Sequence, residues 1–209
     1  MSDLTAVLTT DQGTIRLKLF ADIAPLTVAR ALLPAIAFAL LRPGKRPGSL
    51  PVWSEGSAFA AFALGAAGLA QAALGALADT GILDGALRLA LRADLVSTAM
   101  ATLVGFIGWI VMRYSRTYLD GEEREGTFHA LMLCALAAVL VFVQAGTLAT
   151  TILAAITVGL ALKRLLLFYP DRPEAQRAAT KFGAVWHTGD VMLVIAAAVG
   201  VGIMASVMR

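Results

Sequence analysis

An all-α, polytopic transmembrane helix bundle of about six helices is the fold class this sequence predicts, and three observations carry the prediction. Six apolar runs, roughly 22–41, 58–78, 96–112, 127–143, 147–168 and 186–207, each come near the ~20 residues a helix needs to cross a ~30 Å hydrocarbon layer. The cations between them gather on alternate sides. Hydrophobic residues make up 59% of the chain against 15% charged, with a mean hydropathy of +0.80, which leaves too little polar surface to clothe a soluble fold.

The chain begins without a basic segment leading into an apolar core and a small-residue cleavage site, so insertion is expected to start with the helices themselves. Instead, Thr5–Thr10, a turn at Asp11-Gln12-Gly13 and Thr14–Phe20 alternate as a short β-hairpin does. The first apolar run is the weakest, because Arg30 interrupts it and Pro25 and Pro34 flank its centre. The second is built from Ala, Gly and Leu, with Gly65, Gly68 and Gly75 among the small residues that let helices approach closely where water cannot drive them together. Trp109, Tyr114 and Tyr118 close the third run as an interfacial aromatic belt does. The loop after it carries Asp120, Glu122, Glu123 and Glu125 interleaved with Arg116 and Arg124, either a solvated connector or a patch that docks a soluble partner.

Cys134 lies alone in the fourth run, so neither a disulfide framework nor a cysteine metal site forms within the chain. Thr147, Thr150, Thr151 and Thr157 give the fifth run a polar stripe, which serves packing or a water wire. Lys163 and Arg164 stand five or six residues before its end, within snorkelling reach of the surface. His187 and Asp190 open the sixth run at i, i+3 spacing on one face. Ionisable groups at membrane depth are costly, so Lys163, Arg164, His187 and Asp190 are the proton-path candidates. The plainer reading of the last two is an interfacial His beside Trp186 and an Asp that favours a helix N-terminus.

If the runs alternate, the segments 42–57, 113–126 and 163–185 put eleven Lys and Arg on one side, from Arg42 to Lys181. The opposite side has Arg16, Lys18, Arg88, Arg92 and Arg209, so the positive-inside rule puts both termini outside the cytoplasm. That topology also accounts for the net charge of +3 and leaves nucleic acid without a case as a partner. No P-loop, dinucleotide fingerprint or H-E-x-x-H is present, and the two histidines are far apart. An enzyme acting alone, a resident cofactor and a metal site are therefore not expected.

The segments Leu91-Arg92-Ala93-Asp94-Leu95-Val96-Ser97, Arg113-Tyr114-Ser115-Arg116-Thr117-Tyr118-Leu119-Asp120-Gly121, Val158-Gly159-Leu160, Leu165-Leu166-Leu167-Phe168-Tyr169, Lys181-Phe182 and Gly189-Asp190 occur in this order. Together they resemble the N-terminal part of the proton-translocating membrane subunits of NADH-quinone oxidoreductase (subunit L) and Mrp-type antiporters, over about residues 31–205. The runs Arg113–Gly121 and Leu160–Pro170 look most like the membrane subunit of DAB inorganic-carbon accumulation complexes. The resemblance implies other membrane subunits, the lipid bilayer of the cell inner membrane, and a soluble carbonic-anhydrase-like zinc subunit as partners. That subunit would dock on the cytoplasmic face through 113–126 and 163–185, with Arg116, Asp120, Glu122 and Glu123 as candidates. Where the respiratory subunits carry Trp-Glu before Gly-Val-Gly-Leu, with the Glu on the proton path, this chain has Ala155 and Ile156. The family continues for many more helices, so the expectation is the first part of such a subunit. Residues 1–29 are similar to the start of a cyclophilin-type prolyl isomerase, without its catalytic motifs, which implies a non-catalytic leader ahead of a membrane domain at 30–209. Isomerase activity, a respiratory role and cation/proton antiport are the alternatives.

Overall fold

The computed structural model describes residues 5–10, 13–18, 25–45, 48–75, 78–83 and 89–207. The leader pairs as expected: β1 (Thr5–Thr10) and β2 (Gly13–Lys18) run antiparallel, Thr5 facing Lys18 and Thr10 facing Gly13. The turn residues Asp11 and Gln12, the segment 19–24, and Arg46, Arg88 and Arg209 lie outside the described residues.

The first apolar run is two helices, α1 (Pro25–Arg30) and α2 (Leu33–Leu41). Pro34 has no N–H to offer the carbonyl of Arg30, so the ladder breaks there and resumes with Ile36 N–H on Leu32 O at 3.0 Å. The apolar stretch Thr27–Leu41 is shorter than a full span. Its two ends nevertheless reach opposite ends of the bundle. Val28 and Ala29 are buried near the hairpin described below, and Pro43 O accepts from Thr127 N and Oγ1 at 3.3 and 3.1 Å at the start of the fourth run.

Five long apolar helices follow: α3 (Leu50–Ala73), α4 (Leu95–Tyr118), α5 (Glu125–Val143), α6 (Leu148–Leu166) and α7 (Pro173–Val207). Two boundaries differ from the sequence expectation. The second run, placed at 58–78, is helical from Leu50, because Pro51 is suited to the first turn and the polar Ser54 and Glu55 are tolerated within it. It stops at Ala73 because Gly75, at φ +86°, caps its end, so Gly75 is a helix terminator and has no role in packing. The last run, placed at 186–207, begins at Pro173.

A second hairpin, absent from the sequence expectation, fills the connector after α3: β3 (Ala78–Leu83) against β4 (Leu89–Ala93), antiparallel with a bulge between Gly81 and Leu83. Its edge docks on the α5–α6 turn, where Arg92 N donates to Gln144 O (2.7 Å), Gly146 N to Ala90 O (2.8 Å) and Ala90 N to Thr150 Oγ1 (3.1 Å). Asp94 then starts α4 with a capping box: its carboxylate accepts from Ser97 N at 2.7 Å, and Ser97 Oγ accepts from Asp94 N at 2.9 Å.

Helices α3 and α4 pack antiparallel through reciprocal glycines. A Cβ on Gly65 would stand 3.2 Å from the Thr102 backbone, and one on Gly105 would stand 2.9 Å from that of Phe62. The core joins Leu32 and Ala35 to Ala58, Ala61, Met112, Leu133 and Leu140. The outward faces of α4 and α7 expose large apolar side chains such as Leu103, Ile107, Val191 and Ile195, as lipid-facing surfaces do.

Candidate functional site

Helices α6 and α7 interlock at one point. Gly159 has no side chain, and the indole of Trp186 occupies the space where a Cβ would sit. From there Trp186 Nε1 donates to Ala155 O at 3.0 Å, a carbonyl of the α6 ladder. Four residues toward the other end, the Lys163 side chain lies against Gly183, whose missing Cβ would be 3.2 Å from Nζ. These contacts fix an antiparallel register of 163 with 183 and 159 with 186.

The same register puts Asp190 level with Ala155 and Ile156. At 1.5 Å per residue that is roughly 10 Å from one end of α6 and 16 Å from the other. His187 and Asp190 therefore do not open a helix, as the plainer sequence reading held. They lie well inside α7, level with the middle of α6, so capping of a helix start does not explain them. His187 Nδ1 and Asp190 Oδ2 are 3.6 Å apart, with side-chain exposures of 49% and 12%. Asp190 Oδ2 is fully buried with no hydrogen-bond partner among the described residues. It borders a cleft of about 380 Å³ lined by Phe142, Thr151, Ala155, Trp186 and Leu193.

Of the four proton-path candidates, the fold thus sets Lys163 and Asp190 along one interhelical seam with Trp186 between them, and His187 on its outer edge. Arg164, one residue round the helix from Lys163, is exposed instead. Of the threonine stripe, Thr151 reaches the cleft, with its hydroxyl donating to Thr147 O at 3.1 Å. Thr150 is spent on the β4 edge, and Thr157 donates to Leu153 O at 2.7 Å.

The docking candidates sit at the other level. Because α4 continues to Tyr118, Arg113 and Arg116 lie on its last turns and not in a loop. Arg116 Nη1 pairs with Glu55 Oε2 at 3.0 Å, tying α4 to α3. Asp120 is exposed and Glu122 partly so in the tight turn at Gly121 (φ +86°), with exposed Glu123 next to them. Glu125, the fourth acid of that cluster, is buried, and its Oε2 accepts from Gly121 N at 3.2 Å. Arg124 Nη1 donates to Phe168 O at 2.9 Å with its guanidinium 5.5 Å from the Phe168 ring, which joins the α4–α5 connector to the α6–α7 connector. The α2–α3 connector touches the same end, Gly126 N donating to Gly44 O at 3.3 Å. All three cation-rich connectors consequently share one end of the bundle.

One titratable group missing from the sequence-derived candidates is His129 on α5, fully buried, with neither ring nitrogen hydrogen-bonded among the described residues. The available signal was a histidine inside an apolar run.

Residues 82–129 match the family described as NADH-Ubiquinone oxidoreductase (complex I), chain 5 N-terminus. The chain is 36% identical over 112 residues to the probable inorganic carbon transporter subunit DabB2 of Halothiobacillus neapolitanus, covering 54% of this chain and 20% of that protein. It is 32% identical over 87 residues to the probable inorganic carbon transporter subunit DabB of Hydrogenovibrio crunogenus (41% of this chain, 17% of that protein). To NADH-quinone oxidoreductase subunit L of Escherichia coli it is 33% identical over 103 residues (49% and 17%). The chain spans about a fifth of the length of these relatives. It is similar to the antiporter-like superfamily, with affinity to its inorganic-carbon members. Together with five long apolar helices, that similarity makes it a multi-pass membrane protein, of the inner membrane in bacteria.

Proposed function

We propose that this chain forms the N-terminal part of an antiporter-like membrane subunit that conducts protons within a larger complex, and that the α6–α7 seam carries part of the path. One observation carries the reading: a carboxylate oxygen of Asp190, buried without a hydrogen-bond partner among the described residues and with only the His187 ring 3.6 Å away, at mid-depth of an apolar bundle. A charge held there is costly unless it exchanges a proton or meets a cation. Asp190 also lies level with Ile156, the position at which respiratory relatives resembling this chain carry an acid. In this reading α7 supplies the acid that α6 lacks, Thr151 lines its approach, and His187 and then Lys163 continue the seam toward the connector end. Proton flux into liposomes, driven by a potential worth ~2.3 kcal/mol per charge per 100 mV, tests it. Asp190→Asn is expected to abolish the flux with the fold intact, and undiminished flux in that variant would refute the assignment.

The finer proposal couples this movement to inorganic-carbon uptake through a soluble, carbonic-anhydrase-like zinc subunit on the cytoplasmic face. It is supported by the similarity to the two carbon-transporter subunits and by the joined connectors, which offer Arg116, Asp120, Glu122 and Glu123 on one end. Purification from membranes should recover a zinc-containing partner. Recovery of redox subunits instead would favour the respiratory reading, for which the matched family speaks. Residues 1–29 are proposed as a leader without catalysis, and a peptide isomerisation assay on the purified chain should read background.

A further inference from the structure

The register between helices assembles a second polar layer, away from Asp190. Gly105 against Phe62, and Gly65 against Thr102, place Ser54 of α3 opposite the segment Arg113–Ser115 of α4. Gly108 against Leu136, with a Cβ-to-side-chain separation of 2.6 Å, places Ser115 level with His129 of α5. Three buried polar side chains from three helices thus share one level: Ser54, Ser115 and His129. Glu125, also buried, is one turn before His129 on the same helix. Two apolar clusters adjoin the layer, one of Ala39, Leu50 and Ala130 and one that includes Ala58, Met112 and Leu133.

Hydrogen bonding within this layer is incomplete in a particular way. Ser115 Oγ donates to Val111 O at 2.8 Å and is satisfied. Ser54 Oγ and both His129 nitrogens have no partner among the described residues. A structural histidine normally ties one ring nitrogen to a carbonyl or carboxylate, which fixes its tautomer. One with both nitrogens free of protein partners leaves each to bond an internal water, so that a proton taken at one nitrogen can be matched by release from the other. Buried polar sites lacking protein partners are where internal water resides.

We propose that Ser54, Ser115, Glu125 and His129 enclose a hydrated, proton-binding site at the connector end of the bundle, with His129 as its titrating group. As an access site for protons it rests on the conduction reading above; as a hydrated protonatable site it does not. The charged groups around it are Glu125, held on Gly121 N; the Arg116–Glu55 pair from α4 and α3, with Arg113 of α4 opposite Ser54; Arg42 at the end of α2; and Lys163 and Arg164 near this level of α6, while α1 offers only Arg30 at the far end.

Imidazole ¹⁵N resonances of the whole chain in nanodiscs test the site directly, since there are only two histidines and His129→Phe assigns the signals. The expected result is a His129 ring whose nitrogen-bound protons exchange with bulk water and whose protonation follows the pH. A ring fixed in one neutral tautomer without exchange overturns the inference. In liposomes His129→Gln, which keeps hydrogen-bonding capacity but cannot titrate, is expected to lose most of the proton flux. A His129 that titrates in contact with water in a chain that passes no protons keeps the site and removes the conduction reading. Flux that is lost in Asp190→Asn beside a silent His129 does the reverse.

Discussion

At the scale of single residues, two contacts invite tests whose sign follows from geometry. Gly159→Ala places a methyl group inside the Trp186 indole, so α6 and α7 must separate or the indole must leave the Ala155 carbonyl. Overpacking of this kind costs about 1–3 kcal/mol, and Trp186→Phe alone about 1 kcal/mol for the lost hydrogen bond. The double variant should be less destabilised than the sum, because the smaller ring relieves the clash, and denaturant unfolding in micelles measures that coupling. At Asp94 the hydrogen bond from Ser97 N, then that of the Ser97 hydroxyl, hold the carboxyl below its ordinary value of 3.8, with Arg92 adding to the effect. A depressed native pKa means that the cap contributes fully above the unfolded value and is lost as pH falls through the native one. Asp94→Ala should therefore cost about 1 kcal/mol near neutrality and little in strong acid, whereas Asp94→Asn should keep much of the cap and lose the pH dependence.

At the scale of elements, the α3–α4 pair separates two uses of glycine. Gly105 faces backbone: Phe62 Cα lies 2.9 Å from the point a methyl group would occupy, and backbone cannot rotate away, so Gly105→Ala should loosen the pair by about 1–3 kcal/mol. Gly56 on the same α3 meets nothing within 4 Å, so Gly56→Ala should be neutral or stabilise by up to about 1 kcal/mol through helix propensity alone. Thermal unfolding of the two variants side by side checks the contrast. The long helices were legible because hydropathy over a window reports lipid contact, and Gly65 and Gly68 were legible because small residues in an apolar run mean close approach. The starts of α3 and α7 were hidden for the complementary reason: Ser54, Glu55, Arg177 and Lys181 lower the local hydropathy although the backbone there is helical. The β3–β4 hairpin escaped because its edge is completed by Gln144, Gly146 and Thr150, more than fifty residues away in sequence. Asp190 was visible as an ionisable group, but its depth followed only from the seating of Trp186 on Gly159. The partnerless state of His129 is a property of three helices in register, which no single run displays.

For the whole molecule, the ends of the bundle differ in charge and in construction, and this difference predicts the orientation. Arg42, Arg124 and Arg172 lie in connectors gathered at one end, with Lys45 beside them and Arg113, Arg116, Lys163, Arg164, Arg177 and Lys181 on the adjoining helix turns. The opposite end is closed by the hairpin docked on the α5–α6 turn, where Arg92 stands 3.6 Å from Asp94 and its charge is partly offset. Short cationic connectors stay in the cytoplasm because moving them across the membrane during insertion is disfavoured, so the cation-rich end should face inward. Cys134 is the sole cysteine, which makes the prediction simple to check in a Cys134→Ser background. Single cysteines at exposed Lys45, Glu123 and Glu174 should be protected from a membrane-impermeant thiol reagent added to intact cells, and those at exposed Leu74 and Arg92 should be labelled. The kinked first segment makes the experiment more searching, because its ends already lie at opposite ends of α5 despite its short length. If Thr27–Leu41 crosses the bilayer with α5, then a cysteine in the N-terminal hairpin must label opposite to Lys45 and Glu123; labelling of all three alike would mean that the segment lies along the surface and that the hairpin is cytoplasmic.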